Sequence, residues 1–124
     1  MANPSPLILV IAPPGRLRDS LLVLLQASCQ VTIAGQADNG PAGVQWLVEH
    51  TPRIVLLDAD LAQPELYRTL HLLKNEWPQI QCLVLAHTHQ QEIQARADGA
   101  ETVVQTGLDA ETFLKALTES TRLT

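Results

Sequence analysis

Five short apolar runs alternate along the chain with stretches in which apolar residues recur at helical spacing, the pattern of βα units built around a parallel sheet. The first run, Leu7 to Ile11, ends at Pro13-Pro14-Gly15, after which Leu17, Leu21, Leu24 and Leu25 share one helical face. The second, Val31 to Gly35, leads through Asp38-Asn39-Gly40-Pro41 to a helix with Val44, Leu47 and Val48 inward. Proline at 41 suits a first helical turn, where its missing N–H costs nothing. Ile54 to Leu57 is the most apolar run and is expected at the centre of the sheet; Leu66, Leu70 and Leu73 then mark a third helix that stops near Trp77-Pro78. Cys82 to Ala86 predicts a fourth strand, Glu92 to Ala97 a short helix closed by Gly99, and Thr102 to Val104 a fifth strand. Asp109 is a good N-cap for a last helix whose inward residues are Phe113, Leu114 and Leu117. No linker, internal repeat or low-complexity tract interrupts the series.

Right-handed crossovers turn such units into a doubly wound α/β sheet, whose functional residues collect beyond the carboxyl ends of the strands. Those positions are Ala12 and Pro13 after the first strand, Asp58 after the third, Ala86 and His87 after the fourth, and Thr106 after the fifth. Asp58 is the only obligate charge among them.

Composition narrows the function. With 124 residues and 46% hydrophobic content, residues 1–124 are expected to form one domain with a continuous core. The formal charge is −5 and lysines and arginines are scattered singly, so no basic stripe suited to phosphate backbones exists and direct nucleic-acid binding is not expected. The run from Leu7 to Ala12 is too short to cross a bilayer or serve as a secretory signal, which points to a cytoplasmic protein without membrane attachment.

Other candidate chemistry is sparse. Cys29 and Cys82 form neither a Cys-x-x-Cys nor half of a metal knuckle and neighbour no predicted base, so they read as reduced thiols and the chain is not expected to be an enzyme. Ala12-Pro13-Pro14-Gly15 stands where a phosphate loop would lie but lacks the glycine and lysine pattern, which disfavours a nucleotide or flavin. His87 and His89 flank Thr88 just beyond the fourth strand, in a place expected close to Asp58. A His-x-His metal site completed by Asp58 is one reading; two partly exposed loop histidines is the plainer one. His50 and His71 take no role.

From Leu7 to Ser120 the chain resembles the receiver domain of two-component response regulators. The resemblance is carried by the five βα units, Asn39-Gly40 before the second helix, Leu-Leu-Asp at 56–58, Leu83-Val84-Leu85 in the fourth strand and Gly99-Ala100 before the fifth. It implies a flavodoxin-like (βα)5 receiver fold with strand order 2-1-3-4-5. It also places Asp58 where the family carries its phospho-acceptor.

The departures from the family cluster where the chemistry should be. Its Mg²⁺-holding acidic pair corresponds to Ala12 and Pro13, its phosphoryl-binding Ser/Thr to Ala86, its lysine to Thr106 and its switching aromatic to Val103. The proline expected four residues after the acceptor would fall at Ala62, whereas this chain has Pro64, and the stretch from Ala86 to Gly99 is about two residues shorter than usual. One monodentate aspartate with backbone carbonyls is a poor Mg²⁺ site, so Mg²⁺ binding is expected to be weak or absent and no cofactor is implied. The expectation is an atypical receiver, a pseudo-receiver, that acts on a protein partner: a second copy or an output domain of the same polypeptide controlling transcription. The alternative is a phosphorelay receiver phosphorylated at Asp58 by a histidine kinase. For an association face the resemblance points to Ile93 and Arg96, Val104, and the i, i+4 series Glu111, Lys115 and Glu119, which is equally readable as a solvated stripe.

Overall fold

A parallel sheet whose both faces are covered must be apolar on both faces, and the central runs of this chain meet that demand. In the computed structural model, which describes residues 6–28, 31–106, 111–115 and 117, β1 (Leu7–Ile11), β2 (Thr32–Ala37), β3 (Ile54–Asp58), β4 (Gln81–Ala86) and β5 (Thr102–Gln105) pair in the order β2-β1-β3-β4-β5. Every pairing is parallel. All residues of β3 are buried, as are Ile8 to Ile11 of β1, whereas the edge strand β2 is largely accessible.

The helices α1 (Arg16–Ala27), α2 (Gly40–Leu47), α3 (Gln63–Glu76) and α4 (His89–Ala97) follow strands one to four, and residues 111–115 and 117 supply a fifth helical segment, α5. Leu9, Ile11, Val55 and Leu57 face the layer of Leu47, Leu66, Leu70, Leu73 and Ala95, which belongs to α2, α3 and α4. Alternate residues Ile8, Val10, Ile54 and Leu56 face Leu21 and Leu25 of α1 and Phe113 and Leu117 of α5. Two layers of helix therefore sandwich one sheet, as the doubly wound expectation requires.

Several local expectations shift. Leu17 is 59% exposed because α1 begins only at Arg16, leaving it in the first turn at the rim of the sheet. In α2 the buried positions are Gly40, Gly43 and Leu47, while Val48 is the C-cap and 72% exposed. The face turns by one residue because Ile11 packs against the helix backbone at Gly43, where an added Cβ would stand 2.3 Å from Ile11 Cδ1. β2 begins one residue late and runs to Ala37, since a register shift between Ile8 and Leu9 inserts Ala34 as an extra residue opposite β1. Pro41 does lie in the first turn of α2, with the Asn39 side chain accepting from Ala42 N at 2.9 Å. Pro64 likewise lies in the first turn of α3, after Ala62 at the N-cap. Cys29, Asp109 and Glu119 lie outside the described residues. Among the described residues no helix is long and apolar enough to cross a membrane.

Candidate functional site

Strand register brings the ends of β3, β4 and β5 side by side. Asp58 is paired with Leu85, Ala59 N donates to Leu85 O at 2.9 Å, and Thr106 N donates to Ala86 O at 2.9 Å. Asp58, His87 and Thr106 thus stand at one edge of the sheet although 29 and 19 residues separate His87 from the other two. The Asp58 carboxylate is nearly inaccessible, and its Oδ1 accepts from Asp60 N at 2.8 Å.

His87 completes the group. Its Nε2 lies 2.7 Å from Asp58 Oδ1 and 3.5 Å from Asp60 Oδ2, and its Nδ1 lies 3.3 Å from Thr106 Oγ1. With a neutral ring the network assigns the proton to Nε2, which donates to the carboxylate, while the Thr106 hydroxyl donates to Nδ1. Gln91 locks the loop from beneath: its Oε1 accepts from His87 N at 2.7 Å and its Nε2 donates to Asp60 Oδ1 at 3.0 Å.

His87 is a partly exposed residue of the loop after β4, with a side chain of 14% accessibility, and it is held from both ring nitrogens. His89 does not join it. Thr88 is the N-cap of α4, accepting from Gln91 N at 3.1 Å, so the chain turns from extended to helical between the two histidines. His89 then heads α4, 80% exposed and 3.6 Å from Glu92. Nothing in the sequence pattern marks Asp60 as part of this group. The pattern Thr88-x-x-Gln91, a capping-box spacing, is the local signal that α4 starts at His89 rather than at Glu92.

The positions that correspond to the phosphoryl chemistry of receivers carry none of its groups besides Asp58. Ala86 is fully buried and offers only a methyl group, and the Thr106 hydroxyl is engaged with His87. Val103 is half-buried against the α2–α4 layer. Ala12 presents a carbonyl that already accepts from the Arg18 guanidinium at 3.3 Å, and Arg18 also pairs with Asp38. Mg²⁺ needs near-octahedral oxygen ligands, whereas the donors gathered here are two carboxylates and an imidazole nitrogen, all within 4.8 Å of one another. The residues present do not fit Mg²⁺.

Of the expected association face, Ile93 on α4 is 52% exposed, and Arg96, Glu111 and Lys115 are exposed. Val104 is not part of it: it is 4% exposed and packs in the layer with Phe113 and Leu117. Arg96 donates to Glu92 at 3.2 Å and holds that carboxyl below its ordinary range, with Gln105 of β5 adding a second hydrogen bond. Cys82 lies at the start of β4, the end of the strand away from Asp58; burial, with Glu101 nearby, pushes its thiol up to about 12.

No sequence-family model and no curated protein matches the chain. Solved structures do. The chain is similar to the signal receiver domain of the response regulator NarL from Mycobacterium tuberculosis, with 18% identity, a TM-score of 0.83, and coverage of 97% of this chain and 98% of that one. It is similar to a LuxR-family two-component response regulator from Aurantimonas sp., with 16% identity, a TM-score of 0.83, and 95% and 86% coverage. A CheY-like receiver domain protein from Methanospirillum hungatei aligns at 15% identity and a TM-score of 0.76, covering 96% and 95%. The chain has the flavodoxin-like fold of response-regulator receiver domains.

Proposed function

We propose that this chain is a signalling module of receiver fold that works through contact with a protein partner in the cytoplasm, and that Asp58 is not phosphorylated by the Mg²⁺-dependent route. The observation that carries the reading is the 2.7 Å approach of His87 Nε2 to Asp58 Oδ1. Phosphoryl transfer to an aspartate needs a free carboxylate oxygen in line with the donor and cations to neutralise the equatorial oxygens. Here Oδ1 carries both an imidazole and the Asp60 N–H. The neighbouring positions supply Ala12, Pro13, Ala86 and Thr106 in place of acids, hydroxyl and lysine.

Loss of that input has a consequence for signalling. A ligand shifts a conformational equilibrium only through differential affinity for its two states, so a domain without phosphoryl chemistry holds one constitutive form. Its output is then set by what it binds: a second copy or an output domain, engaged through the α4 and α5 surface that carries Ile93, Arg96, Glu111 and Lys115.

Incubation with acetyl phosphate and Mg²⁺, followed by intact mass measurement, tests the reading. Unchanged mass is expected. A stoichiometric acid-labile adduct on Asp58 overturns it and makes the chain a phosphorelay receiver.

A further inference from the structure

We propose that Asp58, Asp60 and His87 form a binding site for a divalent transition metal of the zinc class, ligated by one oxygen of each carboxylate and by His87 Nε2. The inference rests on the reading that this site no longer runs phosphoryl chemistry. It takes Asp60 where the His-x-His reading of the sequence took His89.

The geometry is close to what such an ion requires. Zn–N bonds of about 2.0–2.1 Å and Zn–O bonds of about 2.0–2.2 Å put tetrahedral ligand atoms roughly 3.3–3.5 Å apart. His87 Nε2 and Asp60 Oδ2 already stand 3.5 Å apart. The Asp58–His87 pair, now in hydrogen-bond contact at 2.7 Å, opens by less than ~1 Å to admit the ion. Two carboxylates balance the charge of a dication. The imidazole selects against Mg²⁺ and Ca²⁺, which take oxygen, and in favour of zinc-like ions.

The outer partners are those that metal-ligating side chains require. Thr106 Oγ1 faces His87 Nδ1 at 3.3 Å, and a hydroxyl can either donate or accept. Without metal it donates to Nδ1 and the ring proton sits on Nε2. With metal the ring takes the Nδ1–H tautomer, donates to Thr106, and turns the Nε2 lone pair to the ion. Gln91 Nε2 holds Asp60 Oδ1 at 3.0 Å, leaving Oδ2 as the oxygen toward His87. The Asp60 N–H anchors Asp58 Oδ1 at 2.8 Å. Asp58 and His87 are nearly buried while the Asp60 side chain is 42% exposed, which opens the site to solvent and to a water as fourth ligand.

Calorimetry with ZnCl₂ on the full chain, with MgCl₂ as comparator, tests the site, and Co²⁺ d–d absorption reports its coordination. Saturable binding of one Zn²⁺ per chain is expected, with a tetrahedral Co²⁺ spectrum. His87→Ala should weaken affinity by tenfold or more. Asp60→Asn, at an accessible position that the fold tolerates, should do the same. Thr106→Val should cost about tenfold and Thr106→Ser should restore wild-type binding, because the serine hydroxyl keeps the partner of Nδ1. His89→Ala should bind as wild type. Absence of saturable Zn²⁺ binding, binding unchanged in His87→Ala and Asp60→Asn, or binding lost in His89→Ala overturns the site. A negative zinc result with unchanged mass after acetyl phosphate leaves the proposed function standing, whereas a phosphoryl adduct removes that function whatever zinc does.

Discussion

His87 Nε2 lies 2.7 Å from Asp58 Oδ1, so the carboxylate that ends the central strand is bound by an imidazole that β4 delivers. Asp58 has this side-chain partner in addition to the backbone N–H of Asp60. The pair explains how a nearly buried carboxylate is accommodated next to an alanine and a threonine rather than a lysine.

That pairing should be measurable as coupling. With Asp58 and His87 side chains 5% and 14% exposed, solvent screens their hydrogen bond little. A double-mutant cycle of Asp58→Ala and His87→Ala, read by urea unfolding, should return a coupling of about 1–2 kcal/mol. Additive single effects would contradict the contact. Mg²⁺ at millimolar levels should leave the melting temperature of the wild type unchanged, since the donor set does not suit it.

Cys82 should set an alkaline limit on stability. Its folded-state value, raised from 9.0 to about 12, comes chiefly from burial, with Glu101 adding to it and Lys74 opposing. For a raised value the stabilisation is complete below the unfolded pKa near 9 and is lost as pH rises toward 12. The urea midpoint of the wild type should therefore fall more steeply above pH 9 than that of Cys82→Ala. Iodoacetamide at about pH 8 should label the thiol far more slowly in the folded chain than in urea. Equal labelling rates would refute the half-buried, neutral thiol.

Gly43→Ala should destabilise the protein although alanine is the better helix former. The gain in helix propensity is about 1 kcal/mol. Against it stands a Cβ placed 2.3 Å from Ile11 Cδ1 and 2.8 Å from its Cγ1, both in the closed layer under α2. Overpacking of this kind costs about 1–3 kcal/mol, so a net loss is expected in thermal or urea unfolding. A companion change, Ile11→Val with Gly43→Ala, should recover part of it by removing the Cδ1 that the new methyl group meets.

Lys115 tests the partner surface. Ile93 is an exposed apolar side chain on α4, and Lys115 is exposed on α5. If association uses this face, Lys115→Glu should weaken the homodimer or partner complex in analytical ultracentrifugation, and acetyl phosphate should change neither protein. Association unaltered in the mutant removes the face, and donor-dependent association removes the constitutive form.

The alternation of strands and helices is legible in the sequence, because a strand covered on both faces and a helix covered on one leave different apolar periods in the chain. Leu7–Ile11 is legible as a buried strand and Ile54–Leu57 as the central one for that reason, and Leu66, Leu70 and Leu73 as the buried stripe of α3. The position of Asp58 at a strand end was equally local information. Only the tertiary structure decided what meets Asp58. His87 and Thr106 reach it through the register of β3, β4 and β5, and Asp60 through a turn that its own N–H closes onto the carboxylate. A period of two or of 3.6 says which face a residue takes within its own element and nothing about which strand lies next to it. The same limit hid the burial of Val104 and the place of Gly43, which are set by Phe113 and Ile11 across the packed layers.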